Sequence, residues 1–195
     1  MAVHIVAGAA CASSLLIFLP APPPDAEAAP QKAQRGTMFQ KLPPADSGMP
    51  ARLHIPRIGV DTVIESVGLT AKGAVGVPLN PDNAGWYSPG VRPGENGNAV
   101  IDGHLNWYGG KAAVFQNLHT LRKGDLLSVE TDKGRFLLFV VRETRTYAPY
   151  EYAPELFAKS DTSHLNLVTC DGVWDPVRKI YSKRIVVFAD AVETM

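Results

Sequence analysis

The sequence predicts an all-β domain, and three observations carry that expectation. Short apolar runs recur from Arg52 onward, each the length of a strand rather than a helix. Glycine and proline are frequent, at 17 and 16 of 195 residues, and they cluster between those runs. Helical patterning is confined to two short stretches, 112–118 and 154–159, each enough for a turn or two. Many short strands with few helices describe a β-barrel or a sandwich.

Taken in order, Arg52 to Ile55 and Thr62 to Val67 are the first two strands. The turn-rich Gly94-Glu95-Asn96-Gly97-Asn98 then leads into a strand over Ala99 to Asp102. Leu126 to Glu130 and Arg135 to Thr146 flank Thr131-Asp132-Lys133-Gly134, which is hairpin chemistry. Phe136 to Val141 is apolar at every position, the pattern of a strand covered on both faces. Leu165 to Cys170 and Arg184 to Ala189 are the last two strands, and the polar stretch 171–183 between them reads as a long connecting loop.

Three regions divide the chain: 1–20, 21–50 and 51–195. Val3 to Leu19 is mostly apolar and a little short of the roughly 20 residues that span a bilayer. It reads either as an uncleaved membrane anchor or as a signal peptide cut near Ala26-Glu27-Ala28, and both routes export the domain. A lipidated Cys11 is a weaker third reading. Half of the 16 prolines fall between residues 20 and 50, so 21–50 is an extended linker without a packing face. Residues 51–195 form one domain large enough to bury its own core. Lys plus Arg and Asp plus Glu are 19 each, and this balance gives no electrostatic footprint for nucleic acid or an anionic membrane surface.

Cys170 is the candidate nucleophile. The only other cysteine, Cys11, lies in the leader, so the exported domain has no disulfide to form within itself. Alternation puts Asn166, Val168 and Cys170 on one face of their strand, opposite Leu165, Leu167 and Thr169. If the last strand returns antiparallel, Arg184 at its start lies beside Cys170. His104 stands just past the strand ending at Asp102, and the three side chains would share one rim of the barrel. A thiolate attacks where a thiol does not. An imidazole protonates a leaving amine and later takes a proton from the incoming one. A guanidinium donates two bonds to a developing oxyanion. Taken singly, each has an ordinary structural explanation, as an inert core thiol, a packed histidine or a solvated strand-end charge; it is their coincidence that points to catalysis. His54, His119 and His164 lack ligand-like spacing, so no metal or other cofactor is expected.

Several stretches together resemble the sortase family, the cysteine transpeptidases that anchor proteins to the walls of Gram-positive bacteria. They are His54-Ile55-Pro56-Arg57-Ile58-Gly59-Val60, Ala99-Val100-Ile101-Asp102-Gly103-His104, Ala113-Val114-Phe115-Gln116-Asn117-Leu118 with Leu121-Arg122-Lys123-Gly124-Asp125, Leu167-Val168-Thr169-Cys170, and Tyr181-Ser182-Lys183-Arg184-Ile185-Val186-Val187-Phe188-Ala189. The resemblance spans nearly all of residues 51 to 190. It implies a closed eight-stranded barrel and a catalytic set of His104, Cys170 and Arg184. It further implies cleavage of an LPXTG-like sorting signal between Thr and Gly, through a thioacyl enzyme resolved by an amine of the cell wall or of another surface protein. The compact domain and Pro-rich leader look closest to the small class F or class E members, although Asn106 and Asp171 depart from the residues frequent there.

Two rivals differ in order and context. An L,D-transpeptidase also runs His then Cys, but typically with Gly before the cysteine, where this chain has Thr169. A non-catalytic surface β-module would hold Cys170 inert.

Overall fold

Strict alternation in Val60-Asp61-Thr62-Val63-Ile64 sends every second side chain inward and fixes the register of the first hairpin. In the computed structural model, which describes residues 48–71 and 73–192, β1 (Pro50–Ile55) and β2 (Val60–Val67) pair antiparallel. Pro56 opens the turn between them, and Gly59 closes it at φ +67°, its amide donating to the Pro56 carbonyl. The leader, the linker up to Ser47 and Cys11 lie outside the described residues.

The remaining strands are β3 (Ala84–Tyr87), β4 (Gly97–Gly103), β5 (Leu126–Thr131), β6 (Phe136–Tyr147), β7 (Ser163–Asp175) and β8 (Ile180–Ala191). They close into the expected eight-stranded barrel in the order β1-β2-β3-β4-β7-β8-β6-β5. Two neighbouring pairs are parallel, β2 with β3 and β4 with β7; the others are antiparallel. The interior is filled by inward-facing side chains, among them Leu53, Ile55, Ile101, Phe139, Leu165 and Val187, so the barrel is a packed core and not a channel. The described helical structure consists of short 3₁₀ turns, including Leu118–Thr120 and Pro154–Phe157. The first lies at the end of the stretch with helical pattern, and the second coincides with its stretch.

Four sequence expectations change. β3 carries no readable pattern, because four residues including a glycine are too few for a period. The apolar run opening β6 is covered on one face only: Phe139 and Val141 are buried, while Phe136 is 64% and Leu138 37% exposed. The stretch 171–183 is not a long loop. β7 and β8 continue past the expected ends as a two-stranded ribbon, with a register shift between Asp171 and Trp174 and a tip at 176–179. Cys170 therefore lies within its strand rather than at the strand's end.

The barrel wall has a second apolar cluster. Val186 and Phe188 of β8 point away from the core and pack with Tyr147, Ala153, Leu156 and Val168. The connection between β6 and β7 thus lies over the outer face of β7 and β8. Asn166, fully buried, pins this layer by donating to Leu156 O at 3.1 Å and to Asn98 Oδ1 at 3.2 Å.

Candidate active site

Strand register assembles the site. On the antiparallel side, Cys170 of β7 is paired directly with Arg184 of β8. On the parallel side, β4 and β7 pair up to Asp102 with Val168, so two residues further along each chain come His104 and Cys170. The three expected residues thus fall in one row across adjacent strands, which at the usual inter-strand spacing is roughly 10 Å wide. Cys170 shares the outward face with Val168, and Arg184 shares it with Val186 and Phe188.

His104 is buried and held from several sides. Its Nε2 lies 3.0 Å from the Pro78 carbonyl, and a carbonyl can only accept, so Nε2 carries the proton and donates. That tautomer leaves Nδ1 to exchange protons with a reacting group. Trp107 packs edge-on at 5.0 Å between ring centroids. Behind Pro78, the Glu65 carboxylate accepts from the amides of Leu79 and Asn80 and from Asn83 Nδ2. Partial burial alone would raise the Glu65 pKa, but these donors hold it below its ordinary value. Glu65 therefore fixes the loop that carries the histidine's acceptor.

The end of β4 is built around a glycine. A Cβ on Gly103 would come within 2.4 Å of the Phe115 ring, and the Phe115 amide donates to the His104 carbonyl at 2.9 Å. Thr169 Oγ1, one residue before the cysteine, donates to the Gly103 carbonyl at 2.7 Å, one residue before the histidine.

Arg184 is half-buried, and Nη1 donates to the carbonyls of Lys183 at 2.9 Å and Tyr181 at 3.3 Å. Burial lowers its pKa from the ordinary value, opposed by Asp102 and Tyr150. Arg178, the alternative cation of the same region, sits at the ribbon tip beside Asp175, with its side chain 78% exposed.

Cys170 is 8% exposed, and nucleophilic chemistry requires its sulfur as a thiolate.

Sequence reading missed Asp102. Burial pushes its carboxyl up to about 8 while Arg184 pulls the other way, and its Oδ1 is buried without a hydrogen-bond partner among the described residues. The signal was present as a single acid interrupting the apolar run before Gly103-His104. Thr169 and Glu65 were missed as well, since nothing local in the sequence reveals what they bond.

A sortase-domain family model matches residues 53–192. The chain belongs to the sortase family. Similar solved structures include sortase C-1 from Actinomyces oris, 24% identical, covering 74% of this chain and 73% of that one at a TM-score of 0.58. Sortase A from Corynebacterium diphtheriae, as a lid mutant, is 22% identical at a TM-score of 0.59, covering 75% and 72%. A Clostridium perfringens sortase D5 transpeptidase is 26% identical at a TM-score of 0.55, covering 74% and 79%. The matches below 25% identity bear on the fold alone. No curated protein matches the chain. This sortase is accordingly a cysteine transpeptidase.

Proposed function

We propose that this sortase cuts an LPXTG-like sorting signal between Thr and Gly and passes the acyl fragment to an amine, with Cys170, His104 and Arg184 as its catalytic residues. The observation that carries the reading is the row across β4, β7 and β8, with Cys170 and Arg184 directly paired. The reduced Cys170 thiolate attacks the threonine carbonyl carbon, and the carbonyl electron pair moves onto oxygen. Arg184 donates to that oxyanion. His104, protonated at Nδ1, gives its proton to the glycine nitrogen as the C–N bond breaks, leaving a thioester on Sγ and a free amine product. An incoming amine attacks the thioester, His104 takes its extra proton, and Sγ leaves as thiolate, closing the cycle.

The acceptor is an amine of a cell-wall precursor or of another surface protein, and the apolar 1–20 segment with its 21–50 linker holds the domain outside the membrane. Among the described residues no helix is long and apolar enough to cross a membrane. The test is cleavage of a quenched LPXTG-type peptide by the reduced enzyme, with mass spectrometry for the thioacyl adduct. Cys170→Ala should lose both turnover and adduct while keeping its circular dichroism spectrum. Retained turnover in that variant would sink the assignment.

A further inference from the structure

The outward face of β4 carries Asn98, Val100 and Asp102, since Ala99 and Ile101 face the core. Asp102 is opposite Val168 on β7, and Val168 is opposite Val186 on β8, one alternation step from the pair Cys170 and Arg184. The carboxyl therefore lies diagonally from Cys170, at a separation that long side chains bridge. It interacts electrostatically with Arg184. Asn98 Nδ2 and Asn166 Nδ2 on the same wall donate to backbone carbonyls, whereas Asp102 Oδ1, like Asn166 Oδ1, is buried without a partner among the described residues. A buried carboxyl oxygen in that condition costs stability, and the row beside it offers an explanation.

We propose that Asp102 is a positioning residue for Arg184: as a neutral carboxyl it leaves the guanidinium directed at Cys170, and as a carboxylate it draws the guanidinium toward β4 and off the oxyanion. The proposal rests on Arg184 being the oxyanion donor. Burial pushes the Asp102 carboxyl up to about 8, so the change of state falls in an accessible range. The charged and titratable groups around it are Arg184 on β8, Cys170 on β7 and His104 two residues along its own chain. Tyr150, from the connection over the wall, acts on Arg184. Arg184 stays cationic throughout, and Asp102→Asn removes only the carboxyl's titration, so a comparison of the two proteins isolates it.

The experiment is kcat/KM of the reduced full chain on an LPXTG-type peptide from pH 6 to 10, for wild type, Asp102→Asn and Asp102→Glu. Above pH 8, wild type should lose activity relative to the Asn variant by about tenfold per pH unit, in kcat rather than KM, and Glu should restore the decline. Rates of Cys170 alkylation across the same range, together with circular dichroism, show that each variant is folded with its thiol accessible. Superimposable profiles for wild type and Asp102→Asn overturn the proposal. Complete lack of peptide turnover by wild type, with Cys170 alkylating normally, overturns the functional reading and this inference with it.

Discussion

The Thr169 hydroxyl donates to the Gly103 carbonyl at 2.7 Å, joining the residue before Cys170 to the residue before His104. Both are buried, so water does not replace this bond when it is lost. It is a side-chain tie between β4 and β7 at the level of the site, where their regular pairing has already ended.

Thr169→Val keeps the shape and removes the donor. Leaving the Gly103 carbonyl unsatisfied should lower stability by about 1–3 kcal/mol. Because the bond sets the spacing of His104 and Cys170, kcat should fall by about an order of magnitude with little change in KM. Urea denaturation and steady-state kinetics check the two effects separately. A variant that loses stability yet keeps full kcat would show that the bond only supports the fold.

Arg184→Lys tests donor geometry against charge. Lysine keeps the cation but lacks the planar fork. Losing one oxyanion donor costs about 10²–10³ in rate, so both Arg184→Lys and Arg184→Ala should be that slow while Cys170 still alkylates. A lysine variant within about threefold of wild type would reduce Arg184 to a source of charge.

Asp102→Asn should stabilise the domain in a pH-dependent way. The folded carboxyl titrates at about 8 and the unfolded one near 4. Between those values the folded state holds the extra proton, so wild-type stability falls as pH rises through that window and levels off above it. The Asn variant lacks this slope. Its advantage should be near zero at pH 4 and, at roughly 1.4 kcal/mol per pH unit across that window, several kcal/mol at pH 9. Urea midpoints at the two pH values decide it, and an advantage that does not change with pH would contradict the burial argument.

Truncation tests where the domain begins. The amide of Met49 donates to Asp132 Oδ1 at 2.8 Å, the Asp132 amide returns a bond to the Met49 carbonyl at 2.9 Å, and Pro50 is paired with Thr131. A chain starting at Gly48 should be soluble and fully active on peptide, since the 21–50 linker has no apolar period to pack. A start at Leu53 should lower the melting temperature by several degrees. Loss of activity in the longer chain would place linker residues in the groove.

Much of the fold was legible because strand alternation and turn chemistry are local. Val60 to Ile64 announces its inward face, and Thr131-Asp132-Lys133-Gly134 announces its hairpin. The failures have one root. Asp171-Gly172 and Asp175-Pro176 carry the composition of a loop, yet Gly172 at φ +82° serves a bulge whose next amide, that of Val173, is held by Ser182 Oγ at 2.9 Å. Nothing in 171–183 shows that partner. The triad types were readable residue by residue, but the neighbours Asp102, Thr169 and Glu65 act through register and loops that join distant parts of the chain.

The parallel pairing of β4 with β7 also dictates when the chemistry can exist. No tight turn joins parallel neighbours, and here β5, β6 and their connections lie between them in sequence. Loop closure must be met in full before the contact returns anything, and non-local pairings of this kind slow folding. His104 and Cys170 come together only once the barrel has closed. A newly made chain therefore brings this row together only at the end of folding, and a partly folded one cannot form a thioacyl enzyme.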